Sequence, residues 1–102
     1  MTYNAEQTPA AGQWLALYEQ ERIALVETWH RRAGIRLARA RLHATVHTVV
    51  ENQIAMDVSE VVETLERLRD EGLSRHEAVH AVGSVLMEQI RRSQVTVEAL
   101  PG

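Results

Sequence analysis

The chain reads as all-α, a compact antiparallel four-helix bundle, and three observations predict it. Proline occurs only at positions 9 and 101, so the stretch between them lacks the strongest helix breaker. Apolar residues recur at the 3.6-residue period, while the alternation of a β-strand is missing. Successive periodic stretches are separated by only a few residues, which favours antiparallel neighbours. At 102 residues the chain has room for one core. The predicted organisation is a flexible tail over residues 1–8 and a single helical domain over 9–102.

The first predicted helix opens at Thr8-Pro9, an N-cap followed by proline in the first turn. Trp14, Leu15, Tyr18, Leu25, Val26 and Trp29 carry its periodicity to a stop near Ala33-Gly34. The second runs from about Ile35 or Leu37 to Met56, with Leu42, Val46, Val49, Val50 and Gln53 on its inward arc. Gln53 should therefore find a hydrogen-bond partner inside. Asp57 and Glu60 have the spacing of a capping box and open the third, whose Val58, Val61, Val62, Leu65 and Leu68 fit the helical period. Gly72 suits the left-handed residue that closes it, with Leu73 packing back on the helix end. The fourth opens at Ser74, again with Glu three residues on, and runs to about Ser93.

Cysteine is absent, which excludes disulfides, thiolate catalysis and Cys-based zinc sites. All eleven basic residues are arginine, a bias that most simply reflects a GC-rich genome. The opening MTYNAEQTPAAG lacks the basic start and apolar run of a signal peptide, and no apolar stretch is long enough to span a bilayer. The expected compartment is the cytoplasm, and no membrane partner is expected.

Four of the five histidines form two equally spaced pairs, His43 and His47 in HATVH and His76 and His80 in HEAVH. Residues four apart stack on one helix face, with Cβ atoms about 5–6 Å apart. Shuffling five histidines through so short a chain would produce roughly a quarter of one such pair. With Val46 and Val79 at the centres of their apolar arcs, each pair falls roughly 60° and 100° to one side. Both pairs thus occupy the shoulder of a buried face, and Gly83 on the second stripe permits close approach. These four imidazoles are the predicted metal ligands, for one ion or two nearby ions between the second and fourth helices. Neutral imidazole suits Zn, Fe, Cu or Ni. His30 has no partner at helical spacing and reads as a surface residue.

A metal-binding protein is the leading function, with a small metalloenzyme, hydrolytic with Zn or oxidative with Fe or Cu, as its catalytic form. Glu77 and Glu51 are then the candidate proton acceptors. HEAVH matches the H-E-x-x-H of zinc peptidases, in which the Glu is general base. Glu77 also sits at N3 of the capping box opened by Ser74, and the cap is the favoured reading. Glu51 extends the His43–His47 stripe by one turn, but its offset of roughly 140° from the arc centre favours a solvated carboxylate over a ligand or an orienting partner of His47.

The rival reading is a metal-free helical interaction module, and a core this small leaves a homodimer open. Arg31, Arg32, Arg36, Arg39 and Arg41 form a basic stretch, and LRDEGLSRHEAVHAVGSV resembles a helix-turn-helix phrase. The presumptive recognition helix starts SRHEAVH and the net charge is −3, so the pattern weighs against nucleic acid.

At HATVHTVVENQIA and EGLSRHEAVHAVGSVL the sequence resembles a bacterial domain-of-unknown-function family of short His-rich helical proteins. The resemblance covers roughly residues 35–90 and consists of a His-rich segment ending in an E-N-Q-like triplet, followed by H-E-A-x-H-A. It places His43, His47, His76 and His80 in shared segments, which implies that they act together. It implies no activity.

Overall fold

The protein, seen in a computed structural model, is described over residues 1–99, with side chains over residues 1–93. It is all-α, with five helices and, among the described residues, no strand. They are α1 (Ala11–Ala16), α2 (Glu19–Arg32), α3 (Ala40–Ala55), α4 (Ser59–Asp70) and α5 (Arg75–Ala99). Helix α3 is the hub and touches each of the other four.

The helix count corrects the sequence reading of four. The first predicted helix is two, because Leu17 and Tyr18 are both extended. No glycine or proline lies at that break, and its cause is tertiary. Trp14 is fully buried and its indole N–H donates to Asn52 Oδ1 at 2.9 Å, which anchors α1 on α3. The carbonyls left unpaired at the break are taken up by Arg22, whose Nη2 donates to Leu15 O at 3.1 Å and to Leu17 O at 2.8 Å. Its Nη1 also reaches Asn52 Oδ1 at 3.0 Å. One asparagine therefore ties two helices to the hub, a role expected of the neighbouring Gln53. Gln53 is half-buried, and among the described residues its side chain makes no hydrogen bond.

Helix ends follow one pattern. Gly34 and Gly72 have φ of +78° and +106°, and the residues after them close the six-residue loops Ile35 N to His30 O and Leu73 N to Leu68 O. Asp57 does the same for α3 with φ +56°, and Val58 N reaches Gln53 O at 3.0 Å. Asp57 is thus the left-handed residue that ends α3. The capping box expected from Asp57 and Glu60 does not form, since the residue preceding α4 is Val58, with no side-chain cap. The expected closure at Gly72 is present, and Leu73 packs in the core beside Leu68.

Two apolar clusters flank α3. One gathers Tyr3, Ala5, Trp14, Ile23, Val26 and Ala44; the other Val50, Leu65, Ala78 and Val79. The first includes Tyr3 and Ala5 from the segment read as a loose tail, so these two lie packed on the helices. Between α3 and α5 the close approach is at Gly83, where an added Cβ would lie 3.3 Å from Val46 Cγ1. Among the described residues, no helix is long and apolar enough to cross a membrane.

Candidate metal centre

Helices α2, α3 and α5 meet at a nest of imidazoles. Each of His30, His43, His47 and His76 offers one nitrogen, and these four nitrogens all lie within 4.8 Å of one another. Three of the four come from the predicted pairs. The fourth is His30, which corrects its reading as a surface residue: it is 4% exposed, and its ring centroid lies 4.9 Å from those of His43 and His47 and 5.0 Å from that of His76. A signal for this was present in the chain. Ile23, Val26 and His30 follow the i, i+3, i+7 rule of a buried stripe, and all three are buried. Searching for histidines spaced from other histidines passes over one that is placed by its apolar neighbours.

His80 is not one of the four whose nitrogens lie within 4.8 Å of one another, although it borders them. It is exposed, 5.1 Å from His43 and 6.4 Å from His76 between ring centroids.

Hydrogen bonds fix which nitrogens are bare. His30 Nδ1 donates to Val26 O at 2.8 Å, so its Nε2 carries the lone pair and accepts from His76 Nε2 at 3.1 Å, a proton that a metal ion would displace. The single Tyr3 hydroxyl proton goes to Glu51 Oε2. The 3.2 Å contact between Tyr3 Oη and His47 Nε2 is then donated by the imidazole. That leaves His47 Nδ1 as a bare lone pair, and it is the one buried side-chain nitrogen or oxygen among the described residues with no hydrogen-bond partner. A polar atom so buried and unpaired costs about 1–3 kcal/mol unless something occupies it.

Behind His47 stands a buried ionic group that orders the segment before α1. Glu51 is 1% exposed, which corrects the solvated carboxylate that its angular offset predicts. It accepts two 2.8 Å hydrogen bonds from Arg75, a bidentate pair. Arg75 also donates to Ala5 O at 3.0 Å and Thr8 Oγ1 at 3.1 Å. Glu6 accepts the His76 backbone N–H at 2.7 Å. The shoulder of α3 is covered because Tyr3 and Ala5 fold over it, which a helical projection of α3 alone does not register. Neither Tyr3 nor Arg75 stood out in the sequence: one sat in a presumed tail, the other between two more conspicuous residues.

Glu77 is exposed and closes the capping box with Ser74. Its Oε1 accepts Ser74 N–H at 2.9 Å, and its own N–H donates to Ser74 Oγ at 3.1 Å. Those hydrogen bonds hold its carboxyl below the usual range, the wrong direction for a general base near neutral pH.

Burial lowers the pKa of His30, His43, His47 and His76, and the neighbouring imidazoles lower each further. His43 is pushed down to about 4. A neutral, lone-pair-bearing imidazole is the form that binds metal. Burial also raises the Tyr3 phenol, with the adjacent Glu51 charge adding to the effect, so Tyr3 stays a hydrogen-bond donor.

The chain matches no family model, and comparison with curated proteins and with solved structures finds no similar chain.

Proposed function

We infer that the protein binds a divalent transition-metal ion through His30, His43, His47 and His76. The observation that carries this reading is His47 Nδ1, a buried lone pair without a partner in a nest of three further imidazoles. Three kinds of support converge on it. The tautomers of His30 and His47 are set by hydrogen bonds at their other nitrogens, an arrangement that orients metal-binding histidines. The four rings are held neutral. The 3.1 Å separation of the His30 and His76 nitrogens is close to the edge of a tetrahedral Zn–N₄ site, about 3.3 Å for bonds of roughly 2.0–2.1 Å. The widest pairs must draw in from 4.8 Å, which calls for modest ring rotations.

Zn, Cu, Ni and Fe all accept such ligands. Four imidazoles around one tetrahedral ion leave no open position, which suits a structural or storage site. A more open set, with His43 on the accessible side, would admit a water for hydrolytic chemistry. In both cases Glu51 acts as a positioning residue through Tyr3 and His47, and Glu77 as a cap.

The test is elemental analysis of protein purified without an affinity tag, with His30→Ala, His47→Ala and His80→Ala beside the wild type. About one metal per chain is expected in wild type and in His80→Ala, with metal lost in the other two. No bound metal in wild type, refractory to added Zn²⁺, sinks the proposal. Metal kept by His30→Ala and lost by His80→Ala would assign the site to the two sequence pairs instead.

A further inference from the structure

Next to the imidazole nest a groove of about 850 Å³ opens between the start of α3 and the outer half of α5. His43, His47 and His80 lie on it, and Leu42, Val46 and Met87 are among its apolar lining residues. Its volume is in the range of small-molecule sites, and its lining mixes an apolar wall with polar groups, the histidines, Arg39, Ser84 and the Glu88–Arg91 pair. Gly83 lies on the same wall, where its missing side chain lets α5 approach Val46.

The charged side chains lining the groove sum to a net positive charge, supplied by Arg39. Arg39 and Arg91 line it against a single acid, Glu88, which already pairs with Arg91. Arg39 is exposed, and among the described residues its guanidinium makes no hydrogen bond or ion pair. The nest itself contains no carboxylate, so a divalent ion held by four neutral imidazoles keeps its full charge of about +2. An anionic head group is favoured there, and an apolar tail is favoured along the walls.

We propose that this groove binds a free monocarboxylic acid with an apolar tail. The carboxylate sits at the histidine end and the chain lies along Leu42, Val46 and Met87. The proposal rests on the metal reading for the strength of the head-group contact, while the groove itself is independent of it.

The test uses Co²⁺-loaded full-length protein titrated with octanoate, acetate and octanol, followed by the visible spectrum of the metal. Octanoate should perturb the spectrum saturably and bind at least tenfold more tightly than acetate, which lacks the tail, and than octanol, which lacks the charge. Ser84→Trp, which fills the groove, and Ile90→Glu, which adds an acid at an exposed lining position, should each weaken octanoate at least tenfold and leave metal content unchanged. Unfolding curves of both variants check that they fold. Equal binding of octanoate and acetate, or variants that bind octanoate like wild type, would overturn the proposal. Should the protein take up no Co²⁺ at all, the metal reading fails before any ligand is added. The groove is then judged on metal-free protein by the NMR signal of the Met87 methyl. A shift with octanoate that Ser84→Trp abolishes supports the groove, and an unmoved signal overturns it.

Discussion

An imidazole binds a metal through a nitrogen that carries no proton, and in His30 and His47 that nitrogen is chosen by residues that are not histidine. Val26 O takes the proton of His30, and Tyr3, itself bonded to Glu51, takes that of His47. The same burial that hides these rings makes protonation costly, and this has a pH signature. A histidine whose folded-state pKa lies below its unfolded value of about 6.5 contributes stability in full above that pH and loses it as pH falls through the folded value. For His43 the window runs from about 6.5 to about 4. The metal-free protein should therefore lose stability between pH 7 and 5, by about 1 kcal/mol for each buried imidazole after discounting for partial exposure. Urea unfolding at several pH values measures this. A flat profile across that range would show that the rings are solvated. Added Zn²⁺ should steepen the dependence, since metal binding requires the neutral rings.

At the scale of the helix, local signals were mostly legible. The periodicity of α3, α4 and α5, the glycine stop at Gly72 and the Ser74–Glu77 box all follow from short-range rules that hold in isolation. Other places failed: α1 opens at Ala11 and not at Thr8-Pro9, because the Thr8 hydroxyl accepts from Arg75 instead of capping, and α3 opens at Ala40 and not at Ile35 or Leu37. Asp57 resembles an N-cap for the helix after it, yet it serves as the left-handed stop of the helix before it. A non-glycine residue in that conformation costs about 1 kcal/mol. Asp57→Gly should accordingly stabilise the protein by about that amount, seen as a rise in Tm of roughly 4–8 °C. If Tm falls instead, the Asp57 side chain contributes something to the loop beyond its backbone shape. The break between α1 and α2 was invisible because Arg22 and Asn52 create it from 30 residues apart in sequence.

Across the whole molecule, the buried Arg75–Glu51 pair links α3, α5 and the segment from Tyr3 to Thr8. Removing one partner strands the other charge in the interior, at a cost of about 3–5 kcal/mol. Glu51→Ala should lose about that much stability by denaturant unfolding. It should also free residues 1–8 to rapid hydrogen exchange, since Tyr3 and Arg75 lose their common partner. A Glu51→Ala protein with wild-type stability would show that the pair is solvated. Metal binding acts on the same scale: if it is confined to the folded state, Zn²⁺ at a hundred times its Kd should add about 2.7 kcal/mol.

The helical class, most of the helix boundaries and the face on which His43, His47 and His76 lie are all written in the chain, because each depends on spacing along one helix. That His30 joins them, and that Glu51 lies buried beneath Tyr3, follows from the way the elements pack. Those outcomes depend on the depth at which α2 crosses α3 and α5 and on a segment without helical period folding across them. Packing between elements sets both, and no pattern within a single helix encodes them.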